Sequence, residues 1–380
     1  MFSLACGLMV ANLYYAQALI GEIAPALGLH GSVAGLVVTS TQLGYGGGLF
    51  FVVSLADRVE NKRLILLLTG GTCIGLLGIW LAQTASTFLL FSFVTGFCSV
   101  GAQIMVPLAA HLAPERSRGQ VVGNIMGGLI TGIMLARPLA NGLAAAAGWR
   151  AIFLLSAIGM AALALVIART VPKRRPDPRL RYGQLLRSSL SLLVNTSAIW
   201  RRTAYQSAMF ASFNLFWTAV PLLLGRQFGL GQAGIALFAL AGAGGALAAP
   251  IAGRLGDRGH IRAGTMAALA GGLIAFLLAG WAAAAHTLLL LAAAAVLLDA
   301  ATQINQVLGQ RVLFSIVPEA RGRINSIYMT VVFLAGATGS TLATLSLEQG
   351  GWTATVSVGG ALVATAFVLF LTERRDPVAS

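Results

Sequence analysis

The chain has 380 residues, 57% of them hydrophobic and only 9% charged, where an ordinary soluble domain carries about 25% charged residues. So few charges cannot cover a water-exposed surface, and so apolar a composition excludes disorder. The net charge of +14 is spread over short segments between apolar runs rather than gathered on one folded face, so no nucleic-acid partner is expected. What is left is a polytopic membrane protein.

A membrane helix needs about 20 largely apolar residues, and breaks at charged and turn-forming clusters delimit twelve such runs. In the first half they cover roughly residues 2–21, 33–56, 64–82, 86–111, 120–145 and 150–171. In the second half they cover roughly 203–224, 232–253, 262–283, 287–313, 323–347 and 352–371. The runs are too long and too evenly apolar for barrel strands, which alternate over roughly ten residues. No basic region precedes the stretch that starts at Phe2, so it is expected to be the first span and not a cleaved leader. Cys6, Cys73 and Cys98 lie inside apolar runs without CxxC spacing, and neither a metal site nor a disulfide is expected.

Loop charges give an independent check. With twelve spans, 22 of the 25 basic residues fall on one side, Arg150 and Arg226 fall on the other, and Arg137 lies within span 5. Basic loops stay in the cytoplasm. The expected placement is therefore the bacterial inner membrane, multi-pass, with both termini cytoplasmic.

Residues 172–202 form the longest hydrophilic stretch. It opens with Lys173-Arg174-Arg175, Pro176 and Pro178. Leu180, Leu185, Leu186, Leu190 and Leu193 then recur at roughly helical spacing and predict an amphipathic helix lying on the membrane surface. The expected domains are a six-helix bundle over 1–171, this linker over 172–202, and a second six-helix bundle over 203–380.

The two halves repeat each other. Asn12-Leu13-Tyr14-Tyr15 is echoed by Asn214-Leu215-Phe216-Trp217, and Leu55-Ala56-Asp57-Arg58 by Leu255-Gly256-Asp257-Arg258. Pro114-Glu115 matches Pro318-Glu319, and the Gly119 to Trp149 spacing matches Gly322 to Trp352. A near-constant offset along the chain marks duplication, here of six-helix units in the same topology, which is one of the transporter architectures.

With these residues in place the chain resembles the major facilitator superfamily over nearly its full length. The loop LADRVENKR at Leu55–Arg63, with its weaker partner at Gly253–Gly259, is similar to that family's interdomain latch. The resemblance assigns the latch to Asp57, Arg58 and the basic Arg63, with Asp257 and Arg258 as the second copy, and implies pairing with helix ends of the other half in the outward-facing state. Val53 and Glu60 stand where the family usually has glycines. Asn12–Gln17 and the span 10–11 region resemble a bacterial branch near the drug:proton antiporters. At the glycine-proline motif of their span 5, this chain carries Arg137 in the proline position and Asn141 near the glycine pair.

Two charges lie well inside spans, Arg137 and Asp299, and each costs about 2.5–3.5 kcal/mol at mid-membrane. Asp299 is expected to titrate protons. Arg137 is its expected conformation-dependent partner, since a nearby cation changes a carboxylate's proton affinity. A static pair that fixes packing between the halves is the alternative. Gln303, Gln306 and Gln310 continue a polar stripe from Asp299 within about 40° on the helix, which must face protein or water. Asn12, Tyr15, Gln17, Gln42 and Gln103 in the first half, with Asn214, Trp217, Gln303 and Gln306 in the second, are the expected substrate contacts. Amides and aromatics together suit an amphipathic organic molecule. The glycine-rich stretch Gly242–Leu247 lies inside span 8 with no strand before it, so it is not read as a nucleotide loop. Gly127, Gly128, Gly132, Gly336 and Gly339 are expected at close helix contacts or hinges.

No phosphate-binding GKS or GKT loop and no HExxH occurs, so no enzyme activity and no cofactor is expected, with the proton gradient as energy source. The expected function is secondary active transport of small organic molecules by alternating access, as proton-coupled efflux. A proton-coupled importer of an organic acid, with Arg137 holding the anion, is the alternative. A membrane receptor or passive pore is the alternative of another class. The expected partners are the substrate, protons and the lipid bilayer, with the chain as a monomer.

Overall fold

Long apolar runs become helices in lipid because only a helix satisfies its own backbone hydrogen bonds there. The computed structural model describes residues 1–114, 118–174, 181–242, 244–245, 248–316 and 321–373, with the backbone alone for Asp57, Arg118, Gly119 and Gly242. Among the described residues, nine helices are long and apolar enough to cross a membrane.

The first expected span is not one rod. It consists of α1 (Phe2–Ala11) and α2 (Tyr15–Ala18), and α3 (Ile20–Ala26) runs on past its expected end at residue 21. The chain tightens at Asn12–Tyr14, where the amides of Leu13 and Tyr14 bond carbonyls three residues back. The second begins as a 3-10 turn at Gly31–Gly35 and continues as α4 (Leu36–Gly48). It then passes through a π-helical stretch at Leu49–Val53 and a 3-10 turn at Ser54–Asp57. After α5 (Asn61–Leu81), the fourth is split into α6 (Ala85–Cys98) and α7 (Gly101–Leu112). Thr84 starts α6 with a reciprocal cap: its hydroxyl accepts from the Thr87 amide while the Thr87 hydroxyl accepts from the Thr84 amide. Next come α8 (Arg118–Ala147) and α9 (Arg150–Thr170).

The linker carries α10 (Tyr182–Asn195), with Leu185 buried and Leu190 exposed. Tyr182 Oη donates to the Phe51 carbonyl at 2.6 Å, and the Asn61 amide to the Arg174 carbonyl at 3.0 Å. Arg175, Pro176, Pro178 and Leu180 lie outside the described residues. The following helix α11 (Ser197–Arg226), with Thr196 as its N-cap, starts six residues before the expected start at 203. Arg202, read from sequence as linker, is therefore inside a helix and buried. Its charge is tolerated because helix neighbours supply partners.

The eighth expected span is two helices, α12 (Gln232–Gly242) and α13 (Ala248–Asp257), with Gly244 and Gly245 in 3-10 geometry between them. Then follow α14 (Ile261–Ala284), α15 (Leu288–Ile316) and α16 (Arg321–Leu371). The last is two helices meeting at Gly350 and Gly351; the latter has φ +64°, which glycine alone adopts at no steric cost.

Contacts divide the chain into two compact units. One comprises Met1–His30, Leu36–Ser188 and Gly231–Ala236; the other comprises Gly31–Gly35, Ser189–Leu230 and Leu237–Ser380. The sequence repeat is visible inside each. A positive-φ glycine precedes the tryptophan in both, Gly148 before Trp149 and Gly351 before Trp352. In the first unit α1 meets α8 backbone to backbone: a Cβ on Gly132 would lie 2.6 Å from Gly7 Cα, and one on Gly128 would lie 2.7 Å from the Ser3 carbonyl carbon. In the second, α11 meets α16 in the same manner, with a Cβ on Gly339 reaching 2.7 Å from the Ala211 carbonyl carbon. Gly127, by contrast, faces open space. Of the repeat markers, Glu115, Pro318 and Glu319 lie outside the described residues.

Candidate functional site

The tightened turn at Asn12–Tyr14 places the first unit's polar residues. Asn12 Oδ1 accepts from Ser156 Oγ at 2.6 Å, while the buried Nδ2 has no hydrogen-bond partner among the described residues. Tyr15 lies edge-on to Phe153. Gln17 Oε1 accepts from Arg137 at both Nε (3.3 Å) and Nη2 (3.1 Å), and the guanidinium carbon lies 5.1 Å from the centre of the Tyr14 ring. Arg137 is 5% exposed. Within this unit its charge is thus met by an amide oxygen and an aromatic face, whose quadrupole attracts cations. Gln42 is fully buried, and Gln103 Nε2 donates to Tyr45 Oη at 3.1 Å.

In the second unit Asp299, 7% exposed and mid-way along α15, accepts from Trp217 Nε1 at 2.7 Å. A hydrogen bond to an ionised carboxylate is about twice as strong as a neutral one. The Trp217 ring packs among Phe213, Phe216 and Phe238. Asn214 Nδ2 instead donates to the Phe210 carbonyl of its own helix at 2.9 Å. The glutamine stripe is half-buried. Gln306 Oε1 accepts from Gln206 Nε2 at 3.4 Å, and Gln310 Nε2 donates to Asn325 Oδ1 at 3.0 Å, so these two face protein.

Sequence reasoning missed three participants. Asn305 Nδ2 donates to Gln206 Oε1 at 2.7 Å. Asn305 lies about 120° round the helix from Asp299, off the stripe, and the three-residue steps Asp299, Thr302 and Asn305 were the available signal. Arg202 is the third. Its Nη1 donates to Thr265 Oγ1 at 2.8 Å and its Nη2 lies 3.4 Å from Glu373 Oε1, while the buried Nε has no partner among the described residues. Tyr205 Oη also donates to Glu373, at 3.3 Å.

The latch residues are only partly in view, since the Asp57 side chain is outside the described residues. Arg58 and Arg258 are exposed, and Arg63 Nε lies 3.1 Å from Glu60 Oε2. Asp257 pairs with Arg311 Nη1 at 2.6 Å, a partner on α15 of its own unit. Among the described residues no group of three or more His, Cys, Asp or Glu could hold a metal ion.

The family profile described as Major Facilitator Superfamily matches residues 1–278 and again 204–380. The chain belongs to the Major Facilitator Superfamily. It is 39% identical over 368 residues, 96% of its length and 92% of the relative's, to the uncharacterized transporter YgaY of Escherichia coli O157:H7. It is 29% identical to a chloramphenicol resistance protein of Pseudomonas aeruginosa, across 56% of this chain and 50% of that one. Among solved structures it shares the fold of the nucleoside transporter NupG, with TM-score 0.75, 12% identity and coverage of 98% and 99% of the two chains. This superfamily member is therefore a multi-pass membrane transporter.

Proposed function

We propose that the chain is a secondary active transporter that exports small organic molecules in exchange for protons. Its twelve membrane helices form two pseudo-symmetric bundles, with both termini on the cytoplasmic side of the bacterial inner membrane. Asp299 takes up and releases the proton, and Arg137 is its conformation-dependent partner. The observation that carries this reading is the buried Asp299 carboxylate on the Trp217 indole: an acid kept inside a membrane helix, where charge is costly, is functional by default.

Asn12, Tyr15, Gln17, Gln42 and Gln103 of the first half and Asn214, Trp217, Gln303 and Gln306 of the second contact the substrate. Flat rings beside neutral amides suit an aromatic, weakly polar molecule. The chloramphenicol resistance relative supports that substrate class and the outward direction. Asp57, Arg58, Arg63, Asp257 and Arg258 act as the conformational latch. No prosthetic group takes part, and the monomer is the working unit.

The test is chloramphenicol movement in proteoliposomes under an imposed pH gradient. Asp299→Asn is expected to abolish gradient-driven movement while the protein stays folded; unchanged coupling overturns the reading. A second reading, import of an organic acid held by Arg137, draws on the buried guanidinium resting on Gln17 and Tyr14. Uptake of a radiolabelled carboxylate, lost in Arg137→Gln, would favour it.

A further inference from the structure

The two halves part company where the membrane-embedded acid stands. Aligned on the first residues of α6 (Ala85) and α15 (Leu288), an offset of 203 positions, the place of Asp299 is taken in the first half by Gly96. In the first half, α4 and the α6–α7 segment are joined by the hydrogen bond from Gln103 to Tyr45. Both halves bring bare backbone together here: in the first a Cβ on Gly44 would lie 2.9 Å from the Phe97 nitrogen, and in the second Gly245 makes the equivalent approach. A Cβ on Gly245 would collide with Asp299 Cβ and would lie 2.6 Å from the Val296 carbonyl oxygen and 2.7 Å from the Ala300 nitrogen. Those neighbours are backbone or one bond from it, so no rotamer change relieves the clash. Gly244, the adjacent residue, has nothing within 4 Å.

The chain at Gly245 is also not regular α-helix. α12 ends at Gly242, α13 starts at Ala248, and Gly244 and Gly245 between them are in 3-10 geometry in mid-span. Irregular backbone at that depth is costly, and transporters keep it at their ion and substrate sites.

We propose that Gly245 is a positioning residue for Asp299: its bare backbone lets the α12–α13 junction press against α15 and hold the carboxylate on the Trp217 indole. This rests on the reading of Asp299 as the proton carrier. The charged and titratable groups on the helices packed against α15 lie toward helix ends. They are Arg201, Arg202, Tyr205 and Arg226 on α11, Arg254 and Asp257 on α13, Arg262 on α14, and Arg321, Arg323, Tyr328 and Glu348 on α16. On α15 itself Arg311 lies twelve residues from Asp299, about 18 Å along the helix. From the first half, Arg137 is the exchange partner already proposed.

A methyl at 245 forces the two backbones apart by about 1 Å to reach ordinary contact, and a shift of that size at a working group costs up to about a hundredfold. The test uses the purified full-length protein in detergent, with protons as the only ligand. Tryptophan emission is followed during acid titration, and the Trp217 part is isolated by subtracting the Trp217→Phe variant. In the native chain a single step is expected, and Asp299→Asn removes it. Gly245→Ala is expected to move the midpoint by about tenfold in proton concentration, one pH unit, whereas Gly244→Ala leaves it in place.

A Gly245→Ala midpoint that coincides with the native one, with the step gone in Asp299→Asn, overturns the positioning role and leaves the proton reading intact. A step that survives in Asp299→Asn overturns the proton reading and this proposal with it. Should Gly245→Ala fail to fold, Asp299→Glu decides the matter. It keeps the glycine contact and the acid but carries the carboxylate one methylene further, and an unmoved midpoint there also overturns the proposal.

Discussion

Trp217 and Asp299 lie 82 residues apart in sequence, and the indole nitrogen of the first donates to the carboxylate of the second at 2.7 Å with both residues buried. A hydrogen bond to a charged group contributes about 1.5–3 kcal/mol. Trp217→Phe keeps an aromatic ring beside Phe216 and Phe238 but removes the donor, so it should lower unfolding stability by about that amount. In an Asp299→Asn background the loss should fall to about 1 kcal/mol, as for a neutral bond. Unfolding of the four proteins in detergent gives the coupling directly; strict additivity would show that the bond carries none.

Gly132 and Gly127 give opposite expectations five residues apart on α8. Gly132→Ala drives a methyl into the Gly7 backbone and should cost about 1–3 kcal/mol, the usual penalty of overpacking. Gly127→Ala meets open space and should be neutral or gain up to about 1 kcal/mol from helix propensity. Thermal unfolding of the two variants side by side checks the α1–α8 seam. Equal melting temperatures would remove it.

The Arg202–Glu373 pair is expected to matter more when broken than when removed. The arginine side chain is 8% exposed and the glutamate 19%. Glu373→Gln leaves a buried guanidinium short of its carboxylate and should cost at or somewhat below the about 3–5 kcal/mol typical of a broken buried pair. Adding Arg202→Met should restore part of that stability, because the desolvated charge is gone. A double variant less stable than Glu373→Gln alone would contradict this account.

Glu22, on α3 past the first expected span, gives a pH-dependent contribution of known sign. Burial raises its carboxyl above the ordinary value, and the hydrogen bond with Gln232 opposes that shift. The folded state therefore holds the proton more tightly than the unfolded one. Its favourable contribution is complete below the ordinary glutamate value and is lost as pH rises to the folded value. The melting temperature of Glu22→Gln minus that of the native protein should accordingly increase over this window. A flat difference would show that Glu22 sits in water.

Much of the fold is legible in the amino-acid order, because in lipid a long apolar run has few structural options and loop charges mark its ends. The acid at 299 and the arginine at 137 stand out for the same reason. Other features need three dimensions. Arg202 follows Arg201 and reads as loop, since hydropathy does not register that Thr196 has already begun a helix whose first turns are polar. Gln206 and Asn305 look like isolated amides until α11 and α15 bring them within 2.7 Å. The split at Gly242–Ala248 is masked by unbroken hydrophobicity, and the meaning of Gly245 lies wholly in what touches it.

Gly96, the counterpart of Asp299 when α6 and α15 are aligned on their first residues, has no side chain, and a Cβ there would meet the Thr41 carbonyl and lie 3.0 Å from the Tyr45 nitrogen. Duplication thus left two copies of one scaffold, of which one holds a carboxylate at this place and the other has no room for a side chain. Under the proton reading proposed above, an engineer retuning the energy source has one address to rewrite, while the other copy serves as a built-in blank.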